Sequence, residues 1–265
     1  MTAVSGLFTL IAIIPLFAVL IYVLIKGFGR IDLALITQLP PTPGLEGGGI
    51  GNAILGTAIV VGIASVISVP FGIMTAVYLS EFSQQNKIAE WIRFATNVLS
   101  GVPSIIAGVF AYGLFVETQL LGYSAIAGGV ALSILMLPTI IRTTDEALKL
   151  VPQQIRWASI GVGASSYKTV LTIVLPAAVP SILTGIVLAI ARAAGETAPL
   201  IFTALNSSFW PRGILEPIAS LAVTVYNFAI VPYKPQQELA WAASLILVFL
   251  VLLTSVTARY VTRKK

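Results

Sequence analysis

An all-α integral membrane protein with six transmembrane helices and both termini on the cytoplasmic side is the fold class that this sequence predicts, from three observations. Hydrophobic residues fill 57% of the 265 positions and charged residues only 9%, where a soluble domain carries roughly 25% charged residues. The apolar residues gather in six stretches, each near the length of about 20 residues that crosses a bilayer as a helix. The basic residues sort to one side of those stretches, as cytoplasmic loops require. Six spans consume about 120 residues, so the chain reads as a single transmembrane domain over 1–265 with room for long connections.

The first span runs from about Val4 to Ile25 and stops at Lys26, Gly27 and Gly29, before a loop rich in proline and glycine (Pro40, Pro41, Pro43, Gly44, Gly47 to Gly49). A cleaved signal peptide is the competing reading, but the apolar run exceeds a typical h-region and no basic n-region precedes it. Further spans are expected at about 51–79, 95–116, 123–141, 177–201 and 239–258. In the third, Gly101-Val102-Pro103-Ser104 predicts a loosened helix, because proline removes a backbone donor and glycine lowers helix stability. A packing kink and a break that lines a cavity are both compatible with that motif. Two connections are long, one from about Arg142 to Pro176 and one from about Pro199 to Glu238. The latter contains the apolar segment Ile214 to Val231, which reads as a re-entrant helix, an interfacial helix or a seventh span.

Charge sets the orientation. With the N-terminus inside, the inner segments hold Lys87, Arg93, Arg142, Lys149, Arg156, Lys168, Arg259, Arg263, Lys264 and Lys265, and the outer ones only Lys26, Arg30, Arg212 and Lys234. A seventh span would carry the basic C-terminal cluster to the outside, against the positive-inside rule. The net charge of +5 is therefore topological, and no nucleic-acid partner is expected. The absence of histidine and cysteine removes imidazole triads, thiol nucleophiles, Cys/His metal sites and disulfides. Trp210, Trp241, Tyr226 and Tyr233 flank the outer segments and read as interface-belt aromatics.

The remaining basic residue, Arg192, falls inside the fifth span, where an uncompensated arginine costs about 2.5 to 3.5 kcal/mol on insertion scales. Glu196 follows four residues later, about 400° around a helix, so the two share a face. Gly185, Ala189 and Gly195 leave small-residue surface nearby. The pair is either a static bond between helices or part of an anion path, in which guanidinium supplies a planar fork of donors and Glu196 limits how tightly the anion is held. Arg142, at the inner end of the fourth span, is either a snorkelling anchor or a second element of that path.

The inner connection predicts a short helix from Gln153 to Val162, ended by Gly161 or Gly163, with Pro176 resetting the direction before the fifth span. Trp157 on that helix serves either as a headgroup anchor or as a docking residue. Arg156, Trp157, Ala158, Ser159 and Gly163, followed by Ile173, Leu175 and Pro176, have the spacing of the cytoplasmic EAA loop of ABC importer permeases, which they resemble. Where that family usually has Glu-Ala-Ala, six residues before the glycine, this chain has Trp157-Ala158-Ser159. The resemblance implies a coupling loop (about 142–176) that docks into an ATPase cleft, here by apolar burial.

Three further runs extend the likeness over nearly the whole chain: Ser100-Gly-Val-Pro-Ser-Ile-Ile-Ala-Gly108, Leu137-Pro-Thr-Ile-Ile-Arg142-Thr-Thr-Asp-Glu-Ala147, and Ala191-Arg-Ala-Ala-Gly-Glu-Thr-Ala-Pro-Leu200. They are similar to the permease subunits of high-affinity phosphate ABC importers. That resemblance implies transport roles for Arg142, Arg192 and Glu196, with inorganic phosphate as cargo. It also implies four kinds of partner, namely a second related permease, a pair of ATPase subunits, an extracytoplasmic phosphate-binding protein and phosphate itself, with the chain lying in the lipid bilayer of a prokaryotic plasma membrane. The chain contains no Gly-x-x-x-x-Gly-Lys-Ser/Thr phosphate loop, so ATP is expected on the ATPase partner, with no cofactor or metal here and no enzymatic activity. Rival readings are a permease for another oxyanion, such as sulfate or molybdate, and an ion-coupled secondary transporter built on Arg192 and Glu196.

Overall fold

The computed structural model describes residues 2–83 and 86–263; Lys264 and Lys265 of the basic tail lie outside the described residues. Its elements are all helical among those residues. Helix α1 (Thr2–Phe28) is followed by a single short turn of helix, α2 (Leu33–Thr37), whose N-terminus is capped by Asp32 accepting from the Leu35 amide at 2.7 Å. Helix α3 (Gly51–Val77) runs on through a π-helical turn, Tyr78–Phe82. Then come α4 (Lys87–Gly101), α5 (Ser104–Ala111) with its π-helical extension Tyr112–Glu117, and α6 (Ala125–Lys149). Helix α7 (Gln153–Gly161) precedes α8 (Ser166–Thr169), the π-helical turn Val170–Val174 and α9 (Leu175–Ala194). Short helices α10 (Ala198–Thr203) and α11 (Leu221–Ala229) lead to α12 (Lys234–Arg263).

Among the described residues, five continuous helices are long and apolar enough to cross a membrane: 4–28, 51–82, 125–149, 166–194 and 234–257. A sixth crossing exists if α4 and the α5 segment count as one span, and the loosening expected within 95–116 is here a full break of the helix. The two arms meet at 107°. Pro103 supplies the cause, since its ring forces the preceding residue out of the helical region, and Val102 is extended at φ −72°, ψ 128°. The α5 arm, 104–117, spans about 21 Å, less than the hydrocarbon thickness.

Helix α6 is the centre of the bundle, packed between α3 and α9. Close approach depends on glycine: a Cβ on Gly129 would lie 2.5 Å from Ile63, and one on Gly72 would lie 2.7 Å from Ile140. Small residues of this kind let membrane helices gain van der Waals contact where no hydrophobic driving force acts between them. The main core forms from Val60, Ala64, Leu132, Met136, Ile140, Ala189 and Ala193. Helix α1 lies outside that core, packs against α12 and exposes most of its apolar surface.

The Ile214 to Val231 segment is not a seventh span. Its helical part, α11, has nine residues, about 13 Å of rise. The stretch before it is recruited to cap α6, whose first amides have no intrahelical acceptor. Ala125 and Ile126 donate to the carbonyls of Glu216 and Ile214 at 3.2 and 3.1 Å.

Candidate functional site

Two regions carry the residues singled out above. The first lies where two helix breaks meet. Helix α9 ends at Ala194, with the Gly195 and Glu196 amides donating back to Arg192 and Ala193 at 3.1 and 3.2 Å. Helix α10 starts afresh at Ala198, and Pro199 in its first turn has no amide to lend to a continuing helix. The expected single span over 177–201 is thus two helices, and Glu196 sits in the joint, not on a helical face with Arg192. Gly108 of α5 lies against this joint, where an added Cβ would be 2.6 Å from the Pro199 Cα.

Behind Arg192, Ala189 and Ala193 are buried in the core, so the arginine side chain projects away from it and is 62% exposed. Its Nε is 3.8 Å from Glu196 Oε1, an attraction too long for a hydrogen bond. No other polar contact to Arg192 is formed among the described residues, so its fork of donors remains open. Below it on the same side of α9, Ser181, Thr184 and Leu188 are exposed at helical spacing.

Arg142 is exposed on α6, and its Nη2 donates to Asn97 Oδ1 of α4 at 2.7 Å. The structure does not bring it to Arg192. Gly185 of α9 packs on Thr143, and Arg192 lies seven residues beyond Gly185, roughly 10 Å further outward. Beside Arg142, Asp145 binds Lys149 at 2.5 Å and Arg93 at 3.5 Å, and Arg93 also donates to the Leu79 carbonyl at 2.7 Å. This network fastens α4 to the inner ends of α3 and α6.

The second region is α7 and its surroundings. Residues 142–149 continue α6 and 166–176 belong to the helix that becomes α9, so the segment between them is 150–165. Pro176 does not reset the chain direction. The π-helical turn Val170–Val174, closed by Leu175 donating to Val170, precedes the proline, and the helix runs on through it. Ile173 and Leu175 are half-buried in this helix and Pro176 is exposed.

Helix α7 itself ends as its glycine predicts. Gly163 adopts φ +92°, its amide donates to Ile160 at 2.9 Å, and the Ala164 amide donates to Ser159 at 3.1 Å. These two bonds form a Schellman termination, which needs a residue that tolerates the left-handed region.

One face of α7 is clamped and the other open. Arg156 grips Glu81, at the end of the α3 helix, through Nη2 at 2.8 Å and Nε at 3.3 Å, with both side chains largely buried. The same guanidinium donates to the carbonyls of Leu148 and Val151, at and just past the end of α6. Ser159 shares a buried hydrogen bond of 2.9 Å with Thr169. On the open face, Trp157 is 63% exposed, Ala158 is exposed beside it, and Ile155, Ile160 and Val162 extend the apolar surface. Sequence reasoning missed Glu81 and Asn97. Glu81 follows the second apolar stretch directly, an acid at a helix end that a count of basic residues passes over.

Residues 68–265 match the family described as binding-protein-dependent transport system inner membrane component. The phosphate transport system permease protein PstA of Yersinia pestis is 42% identical over 264 residues, covering 100% of this chain and 87% of that protein. PstA of Haemophilus influenzae is 38% identical, covering 100% and 94%. Among solved structures, a bacterial alginate ABC transporter has a chain that superposes with a TM-score of 0.71 at 14% identity, covering 99% of this chain and 94% of that one. The inward-facing MetNI methionine ABC transporter superposes at 0.62 and 20% identity, covering 82% and 94%. The chain therefore belongs to the binding-protein-dependent transport system inner membrane components and, within them, to the phosphate permeases of the PstA type.

Proposed function

We propose that this chain forms half of the transmembrane pathway of an ATP-driven importer of inorganic phosphate in a prokaryotic plasma membrane. Its partners are a second, related permease, two ATPase subunits and an extracytoplasmic phosphate-binding protein, and it holds no cofactor of its own. The observation that carries this reading is the 42% identity to a phosphate permease along 264 residues. The geometry supplies a mechanism consistent with it.

Phosphate passing between the two permeases meets Arg192, whose donors are uncommitted and whose counter-ion stands off at 3.8 Å. A guanidinium fork matches the oxyanion, and Glu196 repels it, so the anion is admitted without being trapped. Arg142 lies further inward, tethered to α4 through Asn97, and receives the ion next. The exposed apolar face around Trp157 docks in the ATPase, and ATP is bound and hydrolysed there. When the ATPase pair closes, the push on α7 reaches α3 through Arg156 and Glu81, and the α9 helix through Ser159 and Thr169. The inner ends of those helices then move together and convert an inward-open pathway into an outward-open one.

The test is reconstitution of the chain with these partners in vesicles and measurement of labelled phosphate uptake, with sulfate and molybdate as competitors. Uptake that needs ATP and resists both competitors is expected. Transport of another oxyanion would change the cargo, and transport without the ATPase would overturn the mechanism.

A further inference from the structure

The outer ends of α1 and α12 line a cavity of about 540 Å³. Its wall includes Lys26, Arg30, Lys234, Gln237, Glu238 and Trp241. Three of the four basic residues on the outer side of the chain thus converge on one cleft, although more than 200 positions separate Arg30 from Lys234. Basic residues are disfavoured on that side, which makes their convergence informative.

The cleft is built, not incidental. Between its wall residues Lys26 and Gly29, Gly27 lets the helices touch, since a Cβ there would lie 2.7 Å from the Trp241 carbonyl. Trp241 stacks edge-on against Tyr22 at 5.1 Å, and the Lys26 ammonium stands 5.8 Å from the Tyr22 ring. Arg30 is braced by Asp32 at 2.5 Å and by the Gly48 carbonyl at 3.1 Å. The three cations face two carboxylates, Glu238 in the wall and Asp32 on Arg30, which leaves an excess of one positive charge. Lys26 and Lys234 are exposed, and neither forms an ion pair within 4.0 Å among the described residues.

From this arrangement we infer that the cleft binds a phosphate group presented at the outer membrane surface. One net positive charge matches a phosphodiester monoanion, ammonium and guanidinium donors suit its oxygens, and Ile25 and Trp241 offer apolar contact to a chain attached to it. The occupant is the headgroup of an anionic phospholipid in the outer leaflet, with free phosphate able to compete for the same donors. This inference rests on the orientation of the chain and not on which ion the pathway carries.

The chain, purified with the subunits that copurify with it, is placed in nanodiscs of phosphatidylcholine and phosphatidylglycerol at equal abundance, and retained lipid is read by native mass spectrometry. One tightly held phosphatidylglycerol per copy is expected, with a preference of about ten-fold over phosphatidylcholine. Lys26→Gln with Lys234→Gln loses that lipid, while Arg212→Gln, an outer cation away from the cleft, retains it. Release of the lipid by added inorganic phosphate identifies the free ion as a competing occupant of the same site; retention identifies the lipid as the sole one. Should the double variant not assemble, a phosphatidylglycerol with a photoreactive headgroup is crosslinked to the unmodified protein, and adducts are expected between residues 22 and 30 or at Trp241. No lipid preference, or adducts only elsewhere, overturns the inference.

Discussion

Two arginine–glutamate pairs in this molecule use the same chemistry to opposite ends. Arg156 and Glu81 meet at 2.8 Å with 12% and 9% of their side chains exposed, and the guanidinium also caps the end of α6. Arg192 and Glu196 stand 3.8 Å apart with 62% and 16% exposed, and the arginine has no second partner among the described residues. The first pair is saturated and holds three helix ends together. The second is unsaturated, so a guest can complete it. Burial and the number of bonds made, not residue type, separate a structural lock from an open pair whose donors remain free.

The largest expected effect comes from breaking the lock on one side only. Glu81→Ala leaves Arg156 charged in a buried position, and removing one partner of such a pair costs about 3 to 5 kcal/mol. The denaturant midpoint of the chain in detergent micelles is expected to fall accordingly. Glu81→Leu combined with Arg156→Met recovers most of the loss, but the carbonyls of Leu148 and Val151 remain without their donor, at about 1 kcal/mol. Equal stability of Glu81→Ala and the parent would remove the distinction between the two pairs.

At the open pair the expectation inverts. Arg192→Gln changes stability by no more than about 0.5 kcal/mol, because an exposed pair at this separation contributes little. Phosphate uptake by the reconstituted complex is expected to fall by about ten-fold or more, the loss of one charge-assisted contact to the moving anion. Unchanged uptake with normal assembly would take Arg192 off the path. A third variant compares the two faces of α7. Trp157→Asp, on the exposed side, is expected to leave the fold intact and to weaken ATPase association by about ten-fold through a charge placed in an apolar contact. Unaltered copurification would move the docking surface elsewhere.

The spans were legible wherever the apolar run was uninterrupted, as in α1, α3 and α12, because length and composition alone decide whether a helix crosses the bilayer. Breaks were legible only by their chemistry: Pro103 announced one, but its 107° angle depends on how α4 packs on α6. The joint at Gly195 to Thr197 escaped, since apolar residues continue on both sides and a helix that restarts has the same composition as one that continues. Arg192 and α7 were visible as an ionisable residue within a span and as a helix with a glycine stop. Glu81 and Asn97 were not, because their partners are distant in sequence and nothing in a single chain marks tertiary pairing.

The smallest effect sharpens the comparison at its edge, where α7 terminates. Gly163 has φ +92°, a region that costs other residues roughly 1 to 2 kcal/mol, and open space surrounds its α-carbon. Gly163→Ala therefore meets backbone strain without a steric clash, and a stability loss of about 1 kcal/mol is expected. The two bonds of the Schellman termination, from Gly163 and Ala164, would loosen first. Because Arg156 and Ser159 hold α7 from the inside, hydrogen exchange is expected to rise at residues 160–164 while the amides of 153–158 keep their protection. Uniform loss of protection along the whole of α7 would show that the helix is held by its terminus instead of by Glu81, and that the buried pair is not the lock.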